Sequence, residues 1–153
     1  MNLTKNFTLE ELTQSSYADR QHLDNSPSQE VVHELLLTAK LLQNIRDYLS
    51  LTNGFDTPLI NISGYRSILV NRGIGSADKS DHILGMAADF KAIGMTPLAV
   101  CQLLLPKLDE FGIGQLINEL TWVHVSRKPQ EKEVNRVITI DKLGTRSGFL
   151  KTR

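Results

Sequence analysis

One long amphipathic segment constrains the fold of this chain more than any other feature. Ser26 and Pro27 predict a helix start, with Ser26 as N-cap, Pro27 at the first helical position and Gln29 reaching back. Asn53-Gly54 predicts the end of this helix. Its apolar stripe has the three-and-four spacing of Val32, Leu35, Leu36, Ala39, Leu42, Ile45 and Leu49. Such a stripe must pack against another apolar element.

Shorter helices are predicted around this segment. Thr8 to Glu11 fits a capping box, and "QSSYADRQHLDN" reads as a polar connector. "ILVNRG" suits a short helix, and "IGSADKSD" reads as a polar loop. Thr96-Pro97 predicts a helix through Leu108 that Gly112 ends and Pro106 kinks or shortens.

The strand signals follow the long helix. The predicted strands are "PLINIS", "MAADFKAIG", "GQLINEL", "TWVHVSR" and a final one, "NRVITID". The third and fourth are joined tightly near Leu120-Thr121. Because helices precede strands without βαβ alternation, we expect one α+β domain over residues 1–153. Its mostly antiparallel sheet should carry the helices on one side.

Composition narrows the classes of partner. The 17 basic and 17 acidic residues balance, which disfavours nucleic-acid binding. No window reaches the roughly 18 apolar residues of a membrane span, and the N-terminus lacks a signal-peptide pattern. We therefore expect a chain made in the cytoplasm, monomeric and not inserted in a membrane. Cys101, the one cysteine, lies in the apolar run "LAVCQLLL" and reads as a buried small hydrophobe.

Three residues form a candidate metal site. His82 ends a polar loop, Asp89 lies on the following strand with Ala87 on the same face, and His124 lies on a later strand. Alternation places Trp122 and Ser126 on the face of His124. Catalytic zinc needs three such protein ligands, and its bound water then supplies hydroxide near neutral pH.

The residues alone leave structural roles open. A histidine on an apolar strand is most often a core residue with one hydrogen bond, whereas a carboxylate among alanines is costly unless it is paired or bound to metal. His22 and His33 lie in the connector and the long helix, and we assign them no role. A cysteine or serine hydrolase is disfavoured, because Cys101 lies in an apolar helix and no G-x-S-x-G elbow exists.

A family resemblance adds to this interpretation. "SGYRS" followed by Asn71, then "SDHILGMAAD", then "WVH" resemble the zinc D-alanyl-D-alanine carboxypeptidases. That family includes phage endolysins that cut the L-alanyl-D-glutamate bond, and it shares its fold with the hedgehog signalling domain. The similarity runs from about Phe7 to Ser126, and "FTLEEL" with the long helix resembles the short, phage-associated branch.

The resemblance implies roles for individual residues. His82, Asp89 and His124 would bind Zn²⁺, and Arg66 would bind or polarise a substrate carbonyl or carboxylate. Ser80 would form a hydrogen bond beside the histidine that it precedes. Gly85 and Ala87 would be small because backbone and metal approach closely. Tyr65 and Trp122 would line the cleft or belong to the core.

The general base departs from the pattern of many relatives. They carry an acid three residues before the last histidine, where this chain has Thr121. We expect Glu119 to act instead, from the preceding strand and on the face of Gln115 and Ile117. A solvated strand-end role remains the alternative for Glu119, and Asp78 and Asp81 in the loop are poorer candidates.

The resemblance implies an enzyme that acts on peptidoglycan. The expected reaction is zinc-dependent hydrolysis of a stem-peptide bond, either D-Ala-D-Ala or an L-Ala-D-Glu type of bond. The chain would reach the cell wall after release or as part of a phage particle. The alternative is a zinc-containing, catalytically weak module that grips the wall, which the missing acid at Thr121 keeps open.

Overall fold

A six-stranded sheet organises the fold in the computed structural model, which describes residues 1–127 and 136–149. The strands are β1 Leu59–Ser63, β2 Ala87–Ala92, β3 Ile113–Asn118, β4 Val123–Arg127, β5 Val137–Asp141 and β6 Gly144–Ser147. Their order is β1-β2-β4-β3-β5-β6, and every neighbouring pair is antiparallel except the parallel pair β3 and β5. The expected α+β class with a mostly antiparallel sheet is confirmed.

The sequence predicts β5 as the final strand, and this prediction is wrong because a further strand follows it. The chain turns after Asp141 and pairs back as β6. "GTRS" in β6 is short and polar, so apolar alternation gave no signal for it. Its side chains are half-buried or exposed, which explains that composition.

Five α-helices accompany the sheet within the described residues. They are α1 Leu9–Thr13, α2 Ser16–Gln21, α3 Gln29–Asn53, α4 Ile68–Gly73 and α5 Pro97–Leu104. The capping box of α1 is present as predicted, and Gly54 ends α3 in the left-handed region. No helix among the described residues has the length and apolar character needed to cross a bilayer.

Two helix predictions need correction. Helix α2 lies inside the segment read as a polar connector; only its Ala18 is buried, so the helix has no apolar period. Helix α5 ends at Leu104 rather than Leu108, and a 3₁₀ turn, Leu105–Lys107, follows. Pro106 explains the early end, because proline lacks the N–H that would continue the helix.

The start of α3 also differs from the prediction. Ser28, not Ser26, is the N-cap, and its side chain accepts a hydrogen bond from the Val31 N–H. The Ser26 N–H instead donates to the Asp24 carboxylate at 2.8 Å. Ser26 therefore belongs to a local turn with Asp24, two residues upstream, and does not cap the helix.

The core lies on one face of the sheet. Side chains of α3 and α5 pack there against alternate strand residues such as Ala88, Phe90 and Val125. The opposite face carries the residues between them, Asp89 on β2 and His124 on β4. Strand alternation thus separates the packed core from a polar face on the same sheet.

Helix α3 also braces the loop that precedes β2. The Thr38 hydroxyl donates a 2.6 Å hydrogen bond to the Gly85 carbonyl, and the Arg127 Nε donates to the Thr38 hydroxyl. Gly85 has φ +74°, and a Cβ there would lie 3.1 Å from the Val31 carbonyl oxygen. Glycine is needed because the backbone is left-handed and the helix is close. The close approach of α3 is thus a reason for glycine here beside the approach of a metal that the resemblance implies.

Gly85→Ala should destabilise the fold more than Gly54→Ala. Both glycines have positive φ, which costs an alanine about 1–2 kcal/mol. A Cβ at Gly54 meets nothing within 4 Å, whereas one at Gly85 is crowded by Val31 and Leu35. We expect Gly85→Ala to lose an additional 1–3 kcal/mol or so, measured by urea unfolding of both variants. Equal losses would contradict the crowding.

Candidate metal centre

The antiparallel pairing of β2 with β4 builds the first half of the site. Asp89 lies directly opposite His124, and Ser63 on β1 lies opposite Asp89 on the other side. The His124 Nδ1 is 2.8 Å from Asp89 Oδ1. Cross-strand neighbours on one face are near enough for direct contact, so the register alone brings this carboxylate and imidazole together.

The loop between α4 and β2 supplies the second histidine. His82 is held by its ring and its backbone: Nδ1 lies 2.7 Å from the Gly64 carbonyl, and the His82 carbonyl accepts from the Arg66 N–H. Because a carbonyl only accepts, Nδ1 of His82 carries the proton. Its Nε2 faces Asp89 Oδ2, 3.4 Å away: a protonated His82 would donate there, and a neutral one would offer its lone pair to a metal.

The three side chains converge on one buried point. One nitrogen of each histidine and a carboxylate oxygen of Asp89 all lie within 4.8 Å of one another. His82, Asp89 and His124 are 2%, 6% and 9% exposed. The structure therefore assembles the trio that the sequence singled out, from a loop and two neighbouring strands.

The protonation states suit metal binding. Burial lowers the pKa of His82, although its hydrogen bond to Asp89 offsets part of this effect. Burial alone would raise the pKa of Asp89, but hydrogen bonds with His124 and His82 outweigh it and hold that pKa below its usual range. Near neutral pH His82 is neutral and Asp89 is ionised, which are the forms that bind metals.

Ser126 orients the remaining histidine. Its hydroxyl lies 2.8 Å from Nε2 of His124, on the same face of β4. Unless a metal is bound, the His124 Nδ1–H donates to Asp89 Oδ1 and Nε2 accepts from the Ser126 hydroxyl; a metal at Nδ1 would replace that proton, and Nε2–H would then donate to Ser126. Ligating histidines commonly have an outer partner of this kind on the other ring nitrogen.

The donor set fits zinc. Zinc–nitrogen and zinc–oxygen bonds of about 2.0–2.2 Å in tetrahedral geometry separate ligand atoms by about 3.3–3.5 Å. The 3.4 Å between His82 Nε2 and Asp89 Oδ2 matches, whereas His124 Nδ1 lies 2.8 Å from the other oxygen, Asp89 Oδ1, so the side chains must shift slightly to share one ion. Three protein ligands of this type leave a fourth position open, as in catalytic zinc sites.

An open cleft of about 450 Å³ lies over these three residues. Arg66 enters it; its Nη2 is 3.5 Å from the Ser80 hydroxyl, which also accepts from the His82 N–H. The Arg66 Nε is buried and has no hydrogen-bond partner among the described residues. Burial lowers the pKa of Arg66, while Asp89 and Glu119 partly restore it. Because Arg66 lines the cleft, its guanidinium is suited to an anionic or carbonyl ligand there.

Glu119 lines the same cleft, with Gln115 and Ile117. It comes directly after β3 rather than on the strand, a correction of one residue to the expected position. Burial and the charge of Asp89 raise the pKa of Glu119, while His124, Trp122 and Arg66 oppose the shift. A half-buried carboxyl with a raised pKa beside a metal site has the character of a general base.

The remaining residues considered as a general base or as cleft lining lie in different parts of the structure. Thr121 lines a separate, mostly apolar depression of about 200 Å³. Trp122 and Asp81 line the metal cleft, whereas Asp78 forms a salt bridge with Arg72. Tyr65 is packed in the hydrophobic core, the second of the two roles left open for it.

The sequence did not predict which groups position the site residues through hydrogen bonds. Ser126 carried a usable signal, since it lies two residues after His124 on one strand face. The Gly64 carbonyl carried none, because any residue offers one. The same is true of Asn25, whose side chain accepts from the Ser67 N–H and donates to the Tyr65 carbonyl, fixing the loop that carries Arg66.

Comparison with known families agrees with this geometry. The family model described as Peptidase M15 matches residues 5–126, which include every residue of the cleft. The chain belongs to the Peptidase M15 family, and so to a family of peptidases that are in general zinc enzymes. A comparison with curated proteins gives no match.

Zinc binding should depend on the trio and only weakly on its surroundings. We expect His82→Ala and His124→Ala each to weaken zinc affinity at least about 100-fold, and Ser126→Ala to weaken it roughly 10-fold, as for an outer hydrogen-bond partner. Isothermal titration of the metal-free protein measures this. His33→Ala is the control, because His33 is exposed on α3. Unchanged zinc affinity in both His82→Ala and His124→Ala would contradict metal binding by these residues.

Cys101 should be inert in the native protein. It is fully buried, and burial raises the pKa of its thiol to about 12. The reactive thiolate is therefore scarce at pH 8. We expect iodoacetamide to label Cys101 only after urea unfolding, as followed by mass spectrometry. Rapid labelling of the folded chain would reopen a thiol mechanism.

Proposed function

We propose that this chain is a zinc peptidase that hydrolyses a peptide bond in peptidoglycan stem peptides. The observation that carries the proposal is one cleft in which His82, Asp89 and His124 meet beside Arg66 and Glu119. Membership of the Peptidase M15 family supports the reaction class. The scissile bond would be D-Ala-D-Ala, or a bond of the L-Ala-D-Glu type within the stem.

The proposed chemistry divides between the metal and the chain. Zinc held by the trio would acidify a water molecule and polarise the scissile carbonyl. Glu119, ionised at the start, takes a proton from the attacking water and delivers it to the leaving amine. The Arg66 guanidinium stabilises the negative charge that develops on the carbonyl oxygen. Ser80 keeps Arg66 and His82 side by side through its hydroxyl.

Two cations of the cleft support the proposed substrate class. Stem peptides carry free carboxylates, and Arg66 and Lys79 line the cleft beside the acids Asp81, Asp89 and Glu119. Its open shape admits a peptide that remains attached to a larger polymer. We propose that a substrate carboxylate or carbonyl pairs with the Arg66 guanidinium, which lines the cleft.

The proposed biological setting is the cell wall. The protein would act as a monomer, after release from the cell or as part of a phage particle. The alternative is a module of the same fold that binds the wall and holds zinc but turns over weakly. The location of Glu119 within the cleft favours the enzyme, because the acid missing at Thr121 is replaced from two residues upstream.

Glu119→Gln should abolish wall digestion and leave zinc in place. Removing a general base costs about 10²–10⁴-fold in rate. Purified peptidoglycan is incubated with the parent and the variant, and released fragments are identified by mass. Free D-alanine would indicate a carboxypeptidase, and severed stems an endopeptidase. A chelator should stop the parent, and added zinc should restore it.

The matched control is Glu110→Gln, which removes the same charge from an exposed residue that pairs with Lys107 outside the cleft. This control should digest the wall at the parent's rate. A zinc-loaded parent that releases nothing from several wall types would overturn the peptidase and leave the wall-binding module. Chelator-insensitive digestion would overturn the role of zinc.

A further inference from the structure

The carboxylate of Glu119 has a specific partner at the cleft. The indole Nε1–H of Trp122 donates a hydrogen bond to Glu119 Oε2 at 2.6 Å. A hydrogen bond to an ionised acceptor is about twice as strong as one between neutral groups. Indole nitrogen is a donor only and does not exchange protons in catalysis, so Trp122 holds the carboxylate without competing for its proton.

A tight turn between β3 and β4 places the two side chains together. The Glu119 N–H donates to the Trp122 carbonyl at 3.0 Å, and the Thr121 N–H donates to the Glu119 carbonyl at 2.8 Å. Leu120 lies between them with φ +66°, a left-handed conformation that is costly for a leucine.

Asn118 stabilises this strained turn. Its side-chain Oδ1 accepts the Leu120 N–H at 2.9 Å, and the residue is 2% exposed. Such a buried side-chain bond to the backbone two residues on fixes the turn. The strain is therefore held by surrounding structure, which is typical of functional sites.

Arg66 is the competing partner for Glu119. The two side chains line one cleft, and the charge of each shifts the pKa of the other. A carboxylate free to rotate would be drawn to the guanidinium, where a bidentate pair is favourable. The indole occupies Oε2, and no ion pair joins Glu119 to Arg66 within the described part of the chain.

We propose that Trp122 is a positioning residue for Glu119: its indole N–H occupies Oε2 and leaves Oε1 as the oxygen that exchanges the proton. Oε1 accepts one proton from the attacking water and gives the same proton to the leaving amine, so the carboxylate is regenerated. The inference rests on the proposed function, since it assigns an oxygen to the base of that reaction.

The sequence makes a sharp test possible, because the chain contains one tryptophan. Growth in a tryptophan auxotroph with benzothienylalanine replaces only the Trp122 indole N–H by sulfur and keeps the bicyclic ring. We expect kcat for release of stem-peptide fragments to fall about 10–100-fold, with KM changed less than about twofold, since the contact acts on the base and not on the substrate. Zinc content should not change.

A spectroscopic readout is independent of activity. The metal-free parent should give one indole ¹⁵N–¹H NMR signal, assigned by its loss in Trp122→Phe. Glu119→Ala should shift this signal and speed its exchange with solvent. Tyr48→Phe is the matched control; it removes a 3.0 Å hydrogen bond to the Leu103 carbonyl, away from the cleft. It should leave kcat and the indole signal unchanged.

The outcomes separate the two proposals. An active parent whose benzothienylalanine form keeps its kcat overturns the positioning role and leaves the peptidase intact. An indole signal that does not change in Glu119→Ala contradicts the hydrogen bond between Trp122 and Glu119. A zinc-loaded parent without activity removes the peptidase, and the positioning role with it, even where the indole signal responds to Glu119→Ala.

Discussion

A carboxylate buried between two histidines is the interaction on which the rest of this structure depends. Burying an ionised Asp89 is costly unless opposite charge or hydrogen-bond donors surround it. His124 meets it across the β2–β4 register, and His82 meets it from the loop before β2. Neither contact survives a one-residue slip, because a slip would turn Asp89 toward the apolar core. The site and the sheet register are therefore specified together.

The long helix has a second task besides filling the core. Thr38, on the sheet-facing side of α3, links the Gly85 carbonyl to the Arg127 side chain, and Arg127 also pairs with Glu34. This connection ties the helix, the His82 loop and the end of β4 into one unit. A hydrogen-bonded network of this kind, which is largely buried, resists local opening.

The proposed general base, Glu119, reaches the cleft through a tight turn. The resemblance predicts an acid three residues before His124, a position that here belongs to Thr121, which lines a separate apolar depression. The left-handed Leu120 and the buried Asn118 reverse the chain tightly enough for Glu119 to line the cleft. The local strain at Leu120 is thus part of the proposed catalytic arrangement.

The sequence by itself determined much of this protein. The stripe from Leu35 to Leu49 predicted α3, the alternation around Asp89 and His124 predicted their strands, and "SDHILGMAAD" with "WVH" predicted the trio that the structure assembles. These are local patterns with fixed periods, so sequence carries them. Only the tertiary structure decided what depends on distant backbone: the Gly64 carbonyl on His82, the helix against Gly85, and the indole on Glu119. Every residue offers the same backbone groups, so a contact with the backbone leaves no pattern in the sequence. The direction of a turn depends on the strands that it joins, so the contact between Trp122 and Glu119 leaves none either.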